Sequence, residues 1–224
     1  MSSLLSAAKE TVCTMFERAS IDLAEKGLPS DAFQMSLSIY RNYNSRENQI
    51  LQVSAWSTKG SGLRAFMNAI GPEGGWGDEA IEVGLWYAVQ ESGQQDGVSQ
   101  VILIGDAPAN TKENVTMKRR SFGETYWTTT KFAAPTYYEG ELQKLKEKNI
   151  PLHTFYLTDY AKENFERIAR ETSGSCEKLN INSNRGADLL THFVTEEVLR
   201  KTAGDQGNAV VELYRKKYVK SIAG

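Results

Sequence analysis

Two aspartates stand where an α/β protein could do chemistry. Asp106 follows the apolar run Val101-Ile-Leu-Ile104 and Gly105, and it precedes Ala107-Pro108. A short continuous apolar run of this kind fits a strand buried on both faces. In open α/β sheets, ligands sit at the carboxyl ends of such strands. Asp78 closes the glycine-rich stretch Gly71-Pro-Glu-Gly-Gly-Trp-Gly-Asp78 and opens a helix predicted to reach about Ser92. Each acid also has a plain structural reading. Asp106 can cap or turn the chain before Pro108, and Asp78 can be an N-cap favoured by the helix dipole. Together they say more, because both are expected on one edge of the sheet. Two carboxylates there, with a hydroxyl nearby, make a hard oxygen site suited to Mg²⁺ or Mn²⁺.

Other motifs carry less. The glycine-rich stretch has no Gly-Lys-Ser/Thr and is not a phosphate loop. Gly60-Ser-Gly62 and Gly75-Trp-Gly77 lack the further glycine of a dinucleotide fingerprint, and no Gly-x-Ser-x-Gly elbow occurs. His153 falls in a predicted strand and His192 in a predicted helix. Neither has an evident nucleophile partner, so both are read as structural. Cys13 lies near the apolar stripe of the first helix and reads as a buried, inert thiol. Lys118-Arg-Arg120 reads as a solvated loop face. The aromatics beside it, Tyr126 and Trp127, give that loop the character of a partner-binding surface.

The elements that must position these residues follow from periodicity. Leu4, Leu5, Ala8, Val12, Met15, Phe16, Ala19 and Leu23 form one helical stripe, ended by Gly27 and Pro29. Gln34 to Tyr43 and Gln49 to Trp56 read as a hairpin around the polar turn Asn44 to Glu47. Helices are expected near Leu63 to Ile70 and from Asp78 to Ser92, then the strand before Asp106. The stretch Asn110 to Pro135 reads as long and irregular. Beyond it come a helix (Tyr138 to Lys148), a strand (Leu152 to Leu157), a helix (Lys162 to Thr172) and a strand (Glu177 to Ile181). A helix from Ala187 to Thr202 follows, with Gly186 in the turn before it, and then an amphipathic stretch from Ala209 to Ile222. Alternating strands and helices predict an α/β fold, doubly wound, with a mostly parallel sheet and helices on both faces.

The totals set outer limits. The chain has 224 residues, enough for one large α/β domain, and a formal charge of −2 that gives no general attraction to nucleic acid. No apolar run approaches the ~20 residues that span a bilayer, and no basic-then-apolar signal pattern opens the chain. Two widely separated cysteines argue against a disulfide scaffold and for a reducing, cytoplasmic setting.

Val101-Ile-Leu-Ile-Gly-Asp-Ala-Pro108 resembles the strand-four signature of von Willebrand factor A domains, and it is closest to their intracellular branch. In that branch a glycine-rich loop ending in aspartate starts a preceding helix, as Gly74-Gly-Trp-Gly-Asp78 does here. Glu141 to Lys148, Leu152 to Leu157 and Phe165-Glu-Arg-Ile-Ala169 to Gly174 also look like the family's second half. The resemblance implies a metal-dependent adhesion site with three elements. These are an Asp-x-Ser/Thr-x-Ser motif after strand one, a Thr or Asp from a central loop, and an Asp after strand four. Asp106 matches the third and Asp78 the second. The first has no counterpart, because Met1-Ser-Ser-Leu-Leu-Ser-Ala-Ala-Lys9 is like the piece that follows it.

The family's sheet order, 3-2-1-4-5-6, then implies that the first, central strand lies upstream of residue 1. The gap has three resolutions. The chain is a fragment, the hairpin pairs directly with the later strands, or another chain donates a strand. On this reading residues 1–203 are the truncated domain and residues 204–224 a helical extension. The expected function is a non-enzymatic, cytoplasmic protein-interaction module. Its partner meets the carboxyl edge around Asp78, Asp106 and Asn110 to Pro135, and Mg²⁺ or Mn²⁺ binding is weak or absent. The alternatives are a metal-dependent hydrolase of doubly wound fold using Asp106, or a piece of a larger kinase-like protein.

Overall fold

A computed structural model describes residues 2–25, 27, 29, 33–71, 76–180 and 184–218. In chain order the elements are α1 (Ser2–Glu25), β1 (Ser38–Tyr40), the helical turn α2 (Glu47–Ile50), β2 (Leu51–Val53), α3 (Gly60–Ala69), α4 (Ile81–Glu91), β3 (Val101–Gly105), α5 (Lys112–Arg119) and α6 (Glu124–Trp127). They continue with α7 (Tyr138–Glu147), β4 (Leu152–Tyr156), α8 (Lys162–Glu171), β5 (Cys176–Lys178), α9 (Asn184–Thr202) and, after a 3-10 turn at Gly204–Gln206, α10 (Gly207–Tyr218). The chain divides into two compact units, one drawn from residues 1–37, 54–72 and 180–224, the other from 38–53 and 73–179.

The first unit is mainly helical. The stripe of α1 buries Val12, Met15, Phe16, Ala19 and Leu23, and α1 packs on α9 and α3. Cys13 is buried in the same helix, and burial pushes its thiol pKa up, as an inert core thiol requires. Arg64 of α3 bonds Glu10 at 2.7 Å and Glu17 at 3.2 Å on α1. α10 packs on α9, where His192 Nδ1 lies 2.6 Å from the buried Tyr214 hydroxyl. Gly186 lies inside α9 rather than in a turn before it. Gly74, Gly75, Ile181, Val219 and Ile222 lie outside the described residues.

The second unit carries both sheets. β1 and β2 pair antiparallel with Ile39 opposite Gln52, as the hairpin reading expects, though over three residues each. β3, β4 and β5 form a parallel sheet in that order. The two sheets are separate among the described residues, so the hairpin does not pair directly with the later strands. The core joins Ile81 and Leu85 of α4, Leu142 and Leu145 of α7, Leu152 of β4, and Phe165 and Ile168 of α8. Gly105 ends β3 in a tight spot, where a Cβ would stand 3.0 Å from the Phe165 ring and 3.2 Å from the Tyr40 hydroxyl, so that both neighbours would have to give way slightly.

Three expectations change here. The strand buried along its whole length is β4, not the run before Asp106. Among the described residues β3 is one of the two edge strands of its sheet, and only Leu103 within it is buried. β4 hides its position behind two polar residues whose partners come from later in the chain. Thr154 Oγ1 donates to Phe165 O at 3.0 Å, and His153 Nδ1 accepts from Ser175 N at 3.1 Å. Second, α4 begins at Ile81 with Ala80 as its N-cap residue, so Asp78 is not its cap. Third, Asn110 to Pro135 is folded rather than irregular. It forms α5 and α6 around an aromatic cluster of Tyr43, Trp127, Phe132 and Phe122.

Arg119 pins that cluster. The residue is buried and 0% exposed. It forks onto Glu124 at 3.0 and 2.7 Å, donates to Phe132 O at 2.9 Å, and lies over the Trp127 ring at 5.1 Å. Trp127 returns a bond from its indole nitrogen to Arg119 O at 2.9 Å. Trp127 is therefore a core residue and not a surface anchor. Because half of Glu124 is exposed, the ion pair itself contributes little. The cost of losing Arg119 lies in the stranded carbonyls and the emptied volume. Arg119→Ala should destabilise the chain by about 2–3 kcal/mol in urea unfolding. Arg119→Lys should recover less than half of that, because an ammonium neither forks nor stacks. Full rescue by lysine would show that charge alone is what the site needs.

Candidate functional site at the carboxyl end of the parallel sheet

The loop after β3 is zipped to the segment before α4. Glu79 N donates to Pro108 O at 2.8 Å and Asn110 N donates to Glu79 O at 2.9 Å, a single parallel bridge between Glu79 and Ala109. That bridge brings Asp78, Glu79 and Asp106 to one edge. The end of β4 joins them, as Leu157 N donates to Gly105 O at 2.9 Å and Thr158 Oγ1 donates to the Asp106 carbonyl.

The segment is held from inside by Lys118. Its ammonium is buried, 4% exposed. It donates to Trp76 O at 2.6 Å, Asp78 O at 2.6 Å and Asn110 Oδ1 at 2.7 Å, one acceptor for each of its hydrogens. Burial lowers its pKa, while Asp78, Glu79 and Glu82 oppose that shift. Asn42 adds a bond to Asp78 O at 2.7 Å. The Lys118-Arg-Arg120 run is thus not a solvated face, since only Arg120 of the three is exposed.

The three edge carboxylates have different surroundings. Asp78 is fully engaged, because one oxygen accepts from Asn114 Nδ2 at 2.8 Å and the other from the Tyr160 hydroxyl. Asp106 and Glu79 are half-buried, and neither carboxylate has a hydrogen-bond donor among the described residues. Burial raises the Glu79 pKa, and the nearby Asp106 and Asp78 charges add to the shift, against Lys118. Glu79 therefore feels both aspartates. The Tyr40 hydroxyl is held protonated by its burial and, next, by Glu79, Asp106 and Glu82.

Behind the edge, Glu82 is fully buried on α4. Its Oε1 accepts from Asn110 Nδ2 at 3.1 Å and its Oε2 has no hydrogen-bond partner. The Tyr43 hydroxyl lies near enough to feel this carboxyl, but not in hydrogen-bonding geometry. Burial pushes the Glu82 pKa up to about 8, so the group is a neutral acid at pH 7.

Among the described residues no three His, Cys, Asp or Glu side chains converge to hold a metal, and both Asp78 oxygens are occupied by protein donors. His153 does meet a hydroxyl, Ser175 Oγ at 3.1 Å, a partner that sequence reasoning missed. The same ring nitrogen already accepts the Ser175 backbone N–H at 3.1 Å, and the pair sits at the opposite end of β4 from Asp106.

Sequence reasoning named Asp78 and Asp106, and the fold brings both to the same edge. It missed Glu79, Asn114, Lys118 and Tyr160. The rule that ligands gather at strand ends, applied to β4 as well as β3, points to residues 157–160. The chain is a mixed α/β protein with a three-stranded parallel sheet. No protein-family model matches it, and no curated protein matches it at a significant level.

The neutral Glu82 makes stability depend on pH. Its folded pKa is about 8 and exceeds the unfolded value, so the folded state keeps a proton that the unfolded state has lost. That contribution is complete below the ordinary carboxylate range and is lost as pH rises toward 8, at about 1.4 kcal/mol per pH unit at most. Glu82→Gln should flatten this decline, with urea midpoints compared at pH 5 and pH 8. A variant that keeps the wild-type slope would show that Glu82 is ionised in the fold.

Proposed function

We propose that the chain is a protein-interaction module of the von Willebrand factor A type that meets its partner at the carboxyl edge of the parallel sheet. The observation that carries this reading is the Glu79–Ala109 bridge. It sets the acidic loop before α4 beside the aspartate after β3, the juxtaposition that the resemblance implies. The sheets support it too. Among the described residues the hairpin and the parallel β3-β4-β5 do not pair with each other, which accords with a doubly wound order that has no strand between them. The free Cys13 and Cys176 accord with a cytoplasmic setting. No helix among the described residues is long and apolar enough to cross a membrane.

Binding by this chain does not need metal. Calorimetric titration with MgCl₂ should give no saturable heat, and a tight, saturable isotherm would overturn that part of the reading. The edge itself is tested by comparing partners captured on immobilised wild type and on Asp106→Ala, quantified by mass spectrometry. A defined set should fall about fivefold or more with the variant. Neither form should turn over generic phosphate or carboxylate esters. Equal capture would remove the edge from the account, and turnover lost with Asp106→Ala would make the chain a hydrolase.

A further inference from the structure

Glu82 takes no part in docking at the edge, yet one hydrogen bond separates it from the residue that closes the edge. Its side chain is 0% exposed. Its Oε2 and the nearby Tyr43 hydroxyl are both buried without a hydrogen-bond partner, an uncommon and costly arrangement. The donor that does reach the carboxyl is a neutral one, Asn110 Nδ2 at 3.1 Å. The Lys118 ammonium acts on it without touching it, with all three hydrogens spent on other acceptors. The other titratable groups that face it are Tyr43, from the turn after β1, and Tyr40 of β1. Lys118 also feels Asp78 and Glu79, and Tyr43 feels Arg119 and Tyr137. A buried carboxyl in these surroundings is far more stable neutral than charged.

Asn110 joins this carboxyl to the edge. Its amide nitrogen donates to Glu82 Oε1 and to Asn42 Oδ1, and its amide oxygen accepts from Lys118. Its backbone N–H donates to Glu79 O, which also accepts from Ile81 N in the first turn of α4. Asn110 is itself buried. Parting the segment before α4 from the loop after β3 breaks these bonds and opens Glu82 to water.

We propose that Glu82 is a proton-operated latch: its protonated form holds the two segments of the edge together, and loss of that proton parts them. Rising pH opens the latch. In the closed edge, burial pushes the Glu82 pKa up to about 8. Once hydrated in the open edge, the carboxyl returns to the ordinary range. The closed edge thus keeps a proton that the open edge releases. Opening grows easier by up to about tenfold per pH unit from the ordinary carboxylate range to about 8, and is level above it. Control of docking by the latch rests on the reading that a partner meets this edge, whereas the latch itself does not.

Amide hydrogen exchange on the full chain between pH 5 and pH 9, with no partner added, tests the latch. Each rate is divided by that of the unfolded chain, which removes the base catalysis of exchange itself. Protection at Glu79 and Asn110 should fall from pH 5 to pH 8, by up to about tenfold per unit, and then level off. Thr154 of β4, which donates to Ser175 O, should keep its protection. Glu82→Gln, which keeps the shape and cannot ionise, should remove more than half of that slope. What remains belongs to Asp78, Glu79 and Asp106. The side-chain carboxyl ¹³C resonance of Glu82 in the wild type decides the matter if the variant does not fold. It should be that of a neutral acid at pH 7.

A Glu82 resonance already ionised at pH 6 would overturn the latch. So would protection at Glu79 and Asn110 that does not change with pH, a wild-type slope retained in Glu82→Gln, or a loss of protection that β4 shares. None of these readouts involves a partner, so a failure of the docking reading leaves them unchanged.

Discussion

A lysine ammonium in the interior is costly unless every hydrogen it carries finds an acceptor. Lys118 meets that condition with Trp76 O, Asp78 O and Asn110 Oδ1. These acceptors come from two stretches distant in sequence, so satisfying one cation fixes the segment before α4 against the loop after β3. Asn110 then passes the constraint inward, donating to Asn42 Oδ1 at 3.3 Å and to Glu82 Oε1 at 3.1 Å. The position of Asp78, Glu79 and Asp106 on a common edge follows from this clamp and from the Glu79–Ala109 bridge beside it.

The next residue repeats the device on the other side of α5. Arg119 ties the helix to Glu124 and to the carbonyl of Phe132, under the ring of Trp127. Neighbouring helical residues lie about 100° apart, so two buried cations in succession let one short helix hold two structures. Lys118 secures the acidic edge, and Arg119 secures the aromatic cluster of the second unit. α5 keeps its exposed face for Lys112, Glu113, Thr116 and Met117. Thr111 caps it, accepting from Asn114 N at 3.2 Å, and Asn114 in turn orients Asp78.

Much of the frame is legible in sequence. The apolar run before Asp106, the alternation of strands and helices after Tyr138, and the hairpin all appear where periodicity and turn chemistry put them. What stays hidden has a common cause. Lys118-Arg119 looks like a solvated charge run, because burial of a cation depends on acceptors from elsewhere in the chain that no local pattern reveals. His153-Thr154 disguises the most buried strand for the same reason, since their partners are Ser175 and Phe165 O. Asp78 resembles a cap at the head of a helix, yet its carboxylate is drawn away by Asn114 and by Tyr160, a residue 82 positions later. Asn110 to Pro135 looks irregular because its two short helices are held by long-range contacts rather than by their own stripes.

The central claim is that the Lys118 ammonium builds the acidic edge. Amide hydrogen exchange of wild type and Lys118→Met tests it most directly, read at Glu79 and Asn110, whose N–H groups close the bridge between the two segments. The account predicts protected amides in the wild type and loss of protection at both in the variant, while β4 amides keep theirs. Unchanged protection at Glu79 and Asn110 in Lys118→Met would mean that the edge stands without its buried cation.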